Sequence, residues 1–221
     1  MAEPGKAMQA GENRELQEIE LAIAPPELTE LSEEQVYRAG AYGLLASLLR
    51  RAPDPSVLQQ VSGFAAIRNP GDEMALAMSM LGLAASRCQV DTIADEYHDL
   101  FIGIGRGELV PYGSWYQTGF LMERPLGHLR DDLAELGLQR DPDVCEPEDH
   151  VAALCEVMQL LINDGVSHAR QAQFFSRHMA QWLERFFQDL SEARGAVFYR
   201  AVGRFGAGFS VLETRYLGMQ V

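Results

Sequence analysis

The chain reads as all-α, a single compact helical protein of about nine or ten helices, in one body or in two lobes joined near residues 146–150. Three observations predict this. Apolar residues recur at i, i+3, i+4 and i+7 through most of the sequence, caps and breakers punctuate those runs, and no segment alternates with period two as a half-buried strand would. With 221 residues, 47% of them hydrophobic, the chain can build a substantial core.

The elements follow in order. Residues 1–30 hold seven glutamates against only Lys6 and Arg14 and end near Pro25-Pro26, which predicts an acidic arm, mobile or loosely docked as a helix over 12–23. At Ser32 the run Ser-Glu-Glu-Gln forms a capping box ahead of Val36, Ala39, Gly43, Leu44 and Leu48, so ordered structure is expected to start there. Pro53 and Pro55 end that helix and open the next, through Val57, Leu58 and Val61. Asn69-Pro70-Gly71-Asp72 is a turn with a ready cap before a helix through Met74, Met78 and Leu81. One helix is expected over 90–102, broken by glycines 103, 105 and 107. Another runs from Ser114 or Trp115 toward Met122, and a further one over 125–136 stops at Gly137. The polar connector 139–145 is the expected lobe boundary, and three long helices over about 147–163, 167–190 and 196–217 finish the chain. The expected division is an arm (1–30), an N-terminal lobe (31–138), a hinge loop and helix start (139–150) and a C-terminal lobe (151–221).

Charge and motif content exclude several function classes. A formal charge of −14 argues against a nucleic-acid partner, which needs clustered Lys and Arg, and suits either basic peptides or plain solubility. Three cysteines, an odd number with no CxxC pair, fit a reducing compartment, so a cytoplasmic location is expected. No apolar core follows basic residues at the start, and no apolar run is long enough to span a bilayer, so neither export nor membrane insertion is expected. The segment GIGRGE lacks the third glycine of a dinucleotide loop, no GxSxG occurs, and Cys and His are not at zinc-ligand spacings. No enzymatic activity, cofactor or metal is expected.

Three short blocks carry the recognition chemistry. In EYHDLFIG (96–103), Tyr97, Leu100, Phe101 and the following Ile104 share a helical face, and Glu96 lies off it. In PYGSWY (111–116), Pro111 stiffens the backbone, and Tyr112, Trp115 and Tyr116 offer large surfaces at low entropic cost; Ser114 reads either as a groove residue or as a helix N-cap. In EPEDH (146–150), Pro147 suits a first helical position and the acids complement the helix dipole, but that leaves Glu146 and His150 without a reason. A fourth block, QFFSRHMAQWLERFF (173–187), sets His178 within an apolar face of Phe175, Met179, Trp182 and Phe186 and is assigned to the fold. Met74, Met78, Met80 and Met122 are candidates for an adaptable lining.

In this order and spacing, from about Val36 to about Leu190, the blocks resemble the TorD/DmsD/NarJ family of cytoplasmic chaperones. The resemblance implies an all-helical protein that holds the apo-form of a molybdoenzyme catalytic subunit and recognises its twin-arginine signal peptide. Carried over, it nominates Asp149 and His150 most directly. Glu146 and Pro147 shape their loop, and Glu96, Tyr97, Tyr112, Ser114, Trp115 and Tyr116 surround the groove. Arginine would fork onto the carboxylates and stack on the rings. The alternative is a NarJ-like assembly factor for a catalytic subunit without a cleaved leader. The chain departs from the family pattern in its long acidic arm, which leaves a monomer or a swapped dimer open, and in Ile104, where many relatives carry proline.

Overall fold

Four polar side chains at breaks in the apolar pattern fix where helices start. The Ser32 hydroxyl accepts from Gln35 N–H while the Gln35 side chain accepts from Ser32 N–H, closing the capping box. Asp54 accepts from Ser56 and Val57 N–H ahead of a helix with Pro55 at its first position, and Asp72 accepts from Ala75 N–H. The computed structural model describes residues 31–67, 71–104, 106–141 and 143–219. The arm 1–30 with its expected helix over 12–23, and Asn69-Pro70 of the expected turn, lie outside the described residues.

Ten α-helices are described: α1 Glu33–Arg50, α2 Pro55–Ser62, α3 Glu73–Arg87, α4 Val90–Tyr97, α5 Gly113–Thr118, α6 Arg124–Glu135, α7 Val151–Asn163, α8 His168–His178, α9 Leu183–Glu192 and α10 Phe198–Gly218. Among the described residues there is no strand, only one isolated antiparallel bridge between Tyr112 and His150. The fold is all-α. No described helix is long and apolar enough to cross a membrane. α1 lies along α7, and α10 lies along both α9 and α3. The contiguous core takes Tyr42 and Leu45 from α1, Met158 and Leu161 from α7, Phe186 and Phe187 from α9 and Phe209 from α10, so it draws on both sides of the 139–150 connector.

A buried polar network ties α1 to the C-terminal helices. The Arg38 guanidinium donates to both Glu213 carboxylate oxygens, at 2.6 and 3.0 Å, and to Gln171 Oε1 at 2.9 Å, while Tyr42 O–H donates to Glu213 at 3.0 Å. Gln171 passes the chain on to the Val166 carbonyl at 2.7 Å, and the guanidinium lies 4.3 Å from the Tyr216 ring centroid. Every partner in this cluster is satisfied, the condition under which a buried ion pair can persist.

Several boundaries differ from the sequence expectation, each for a tertiary reason. The helix expected over 167–190 divides at His178, because the Trp182 indole N–H donates to the His178 carbonyl at 2.7 Å and Ala180 N–H bonds back to the Phe175 carbonyl. The break turns Trp182 inward, where it stacks on Tyr116 with centroids 5.5 Å apart. The helix over 90–102 widens after Tyr97 into a π-helical turn, His98–Ile102, which Gly103 ends at φ 58°. The change of phase leaves Ile104 fully exposed and off the face it was expected to share with Tyr97 and Leu100. The helix expected to reach Met122 stops at Thr118, where Gly119 takes a left-handed φ of 82°.

Glu213→Leu strands the Arg38 guanidinium in the core and is expected to cost about 3–5 kcal/mol, read as a lower urea midpoint. Adding Arg38→Met to the same chain should restore most of it.

Candidate functional site

The PYGSWY and EPEDH blocks meet backbone to backbone. Gly113 N–H donates to the Asp149 carbonyl at 2.9 Å, Val151 N–H donates to the Pro111 carbonyl at 2.9 Å, and Tyr112 and His150 form the isolated bridge between them. The Asp149 carboxylate completes the joint by accepting from Ser114 N–H at 2.7 Å. An acid 35 residues away in sequence therefore takes a first-turn amide of α5. A Cβ at Gly113 would sit 3.1 Å from the Trp182 indole nitrogen, so a larger residue there would press on the indole.

This joint corrects two expectations of local capping. Ser114 does not cap α5: Tyr112 occupies the N-cap position, and the Ser114 hydroxyl is buried with no hydrogen-bond partner. Pro147 does not open α7: the helix begins at Val151 behind His150, whose Nδ1 accepts from Ala152 N–H at 3.1 Å. Pro147 starts a turn instead, its carbonyl accepting from His150 N–H. Asp149 is 3% exposed, and its second carboxylate oxygen is also buried without a hydrogen bond.

The EYHDLFIG block divides between the interior and the edge of the same crease. Glu96 is buried and accepts from Val197, Phe198 and Tyr199 N–H at 2.8, 3.0 and 2.7 Å, so its carboxylate caps α10 from a hundred residues away. Tyr97 O–H donates to the Arg50 carbonyl at 3.0 Å, at the end of α1. Burial first, then the charge of Glu146 and the neighbouring Tyr112, push the Tyr97 phenol up to about 12. The Tyr112 ring meets the His150 ring edge to face at 5.0 Å.

Trp115 and Tyr116 face elsewhere. Arg106 lies over the Trp115 ring at 4.8 Å, and Tyr116 O–H donates to Asp189 at 2.9 Å. Both line a second, polar depression of about 210 Å³ with Glu108 and Arg185. Tyr97, Tyr112, Glu146, Pro147, Asp149 and His150 thus gather at the crease, and Glu96, Trp115 and Tyr116 do not.

Beside the crease opens a cavity of about 290 Å³ whose wall includes Glu146, Glu148, His150, Arg50, Arg140 and Glu156. Arg50 and Glu156 pair at 2.6 Å, and Glu148 takes Arg130 at 2.9 Å and Arg140 at 3.5 Å. The Glu146 side chain is exposed and accepts no hydrogen bond from any described residue. Sequence reasoning missed Arg50 and Glu156. The signal for Glu156 was present, as the one charged residue within the helix VAALCEVMQLLIN.

His150 contributes a neutral ring. Burial, reinforced by Arg50, lowers its pKa to about 4, and with Nδ1 accepting from Ala152 the ring proton resides on Nε2. The crease therefore offers carboxylate charge from Glu146, the faces of two tyrosines and an imidazole N–H donor.

Because the folded pKa of His150 lies below its ordinary 6.5, its contribution to stability is full above that value and is lost as pH falls toward 4. His150→Asn, which keeps an N-cap acceptor, should flatten the stability profile in that window by an amount on the order of 3 kcal/mol, measured by urea unfolding at several pH values. Asp149→Ala should cost roughly 1–3 kcal/mol through the lost amide acceptor, and Asp149→Asn less.

The family model described as nitrate reductase delta subunit matches residues 69–188. The chain is 25% identical over 212 residues to the chaperone protein TorD of Aliivibrio salmonicida, covering 86% of this chain and 99% of that one. It is 29% identical over 116 residues to the Tat proofreading chaperone DmsD of Salmonella typhi, covering 52% and 56% of the two chains. A solved structure of a candidate redox enzyme maturation protein from Archaeoglobus fulgidus superposes with a TM-score of 0.53 at 16% identity, over 88% of this chain and all of that one, a likeness of fold. Since the family model spans more than half of its length, the chain belongs to the nitrate reductase delta subunit family, the TorD/DmsD/NarJ group of redox-enzyme maturation chaperones.

Proposed function

We propose that the protein is a cytoplasmic, non-catalytic chaperone that binds the twin-arginine signal peptide and the apo-form of a molybdenum-cofactor oxidoreductase. In that role it assists cofactor insertion and holds the client back from premature export. The observation that carries this reading is the exposed Glu146 carboxylate standing beside Tyr97, Tyr112 and the neutral His150 at the mouth of a cavity. A guanidinium can fork onto Glu146 and stack on a tyrosine face, and the second arginine of the pair can compete with Arg50 for Glu156. Charge then sets orientation and on-rate, while burial of the leader's apolar run supplies most of the affinity.

Asp149 and His150 act in this reading by holding the crease in shape. Asp149 is committed to α5, and the buried His150 presents only an N–H and a ring edge. Glu146 and Glu156 are therefore the informative positions.

The second reading is a NarJ-like assembly factor for a catalytic subunit lacking a cleaved leader, and the description of the matching family model favours it. The relative matched along nearly its full length is named TorD, which favours the first.

Titration calorimetry of the purified protein with a synthetic peptide bearing two arginines and an apolar run should show binding that weakens about tenfold, close to 1.4 kcal/mol, for Glu146→Gln and for the twin-lysine peptide. Equal affinity in all three cases removes the crease from the mechanism. Capturing the client from its host and sequencing its N-terminus separates the two readings.

A further inference from the structure

The crease cavity and a second, apolar cavity meet along one face of the α1/α7 pair. On α1, Val36, Gly40, Gly43, Ser47 and Arg50 recur at i, i+4, i+7, i+11 and i+14, a single stripe of the helix. Arg50 closes the crease end of that stripe, paired with Glu156 of α7. The other four line a groove of about 960 Å³ that continues over Phe64, Met74, Met78 and Phe209. Two of the methionines expected as adaptable lining therefore belong to this groove. Gln159, one turn beyond Glu156 on α7, lies over Gly43 at the junction, and among the described residues its side-chain amide has no hydrogen-bond partner.

The chemistry changes along this path. At the crease the exposed Glu146 and the partly exposed Glu156 present carboxylates. In the groove the buried charges, Arg38 and Glu213, are spent on each other, and the rim leaves Tyr37 71%, Leu212 45% and Met219 57% exposed. A contiguous apolar surface of this kind marks a binding site. A Cβ at Gly40 would meet nothing within 4 Å, so a ligand backbone can come close to α1 there. Acid at one end and apolar lining at the other match a peptide whose basic pair precedes an apolar run. Arg50 and Gly43 are seven positions apart on α1, about 10 Å along the helix, which an extended peptide crosses in about three residues.

We propose that the groove holds the apolar run of the same peptide whose arginines occupy the crease, with Gln159 hydrogen-bonding the peptide backbone at the crossing. The inference rests on the peptide-binding reading of the crease. To that reading it adds a location for the apolar run, a chain direction from Glu146 past Gln159 toward Met78, and a spacing of about three residues between the second arginine and the run. A partner that offers only basic charge, or only apolar surface, fills half of this track.

Titration calorimetry of the full-length protein tests it with three synthetic peptides. The first carries two arginines, a spacer of about three residues and an apolar run; the second replaces the run by glycine and serine; the third lacks the spacer. Leu212→Gln combined with Met219→Gln strips apolar surface from the groove rim at exposed positions without adding charge. This variant should weaken the first peptide by about tenfold and leave the second unchanged, whereas Glu146→Gln weakens both. Loss of the spacer should cost the wild type about tenfold as well. A benzophenone placed in the run should cross-link to Met74 or Met78. Unchanged binding of the first peptide to the groove variant, while Glu146→Gln still weakens it, overturns the inference and leaves the crease reading standing. So does cross-linking confined to residues 139–150. Binding that depends on the groove but not on Glu146 overturns the crease reading and the joined track with it.

Discussion

The first-turn amides of α5 and α10 converge on carboxylates that their own neighbours in sequence do not supply. Asp149 serves α5 and Glu96 serves α10, and Glu108 does the same for the Arg194 and Gly195 N–H groups just before α10. Unsatisfied amides at a helix start are expensive to bury, and these sites sit where distant segments cross. Each acid therefore acts as a registration pin. If Asp149 were withdrawn, the bridge between Tyr112 and His150 would lose the bond that holds its far side, and the crease would lose its shape.

That arrangement explains why the most conspicuous acids of the sequence motifs are not the most available ones. Glu96 and Asp149 stand out because each is a charged residue beside aromatics at a helix boundary. Burial and backbone hydrogen bonds consume both. At the crease the exposed acid is Glu146, one residue before the proline that bends the loop, near a partly exposed Arg50–Glu156 pair. Pairs of this kind are worth little when half exposed, so exchanging one arginine for another is nearly neutral in energy and depends on what accompanies it.

How much of this could be read from the sequence follows the range of the interactions. Caps made within three residues, at Ser32, Asp54 and Asp72, were legible because donor and acceptor lie in one short window. The all-α class was legible because helical periodicity is local as well. The start of α7 and the break between α8 and α9 were not: the first is set by Asp149 reaching α5, the second by the Trp182 indole taking a carbonyl so that its ring can lie under Tyr116. A periodicity argument sees an unbroken apolar face through 178–182 and has no means of weighing a contact made sixty-odd residues back. The gathering of EPEDH with PYGSWY was an expectation of family resemblance; the particular hydrogen bonds that join them were not in reach. Arg50 was invisible because nothing about an arginine at the end of a helix distinguishes it from a solvated one.

The uncharged state of His150 carries one more implication. A histidine at a recognition surface usually turns that surface into a proton-sensitive gate, since its ordinary titration falls within the range a living cell visits. Here burial, reinforced by Arg50, pushes the pKa of the ring down to about 4, far below that range. The imidazole consequently stays neutral through ordinary acidification, and any proton sensitivity of the crease falls instead to Glu156, whose pKa burial raises.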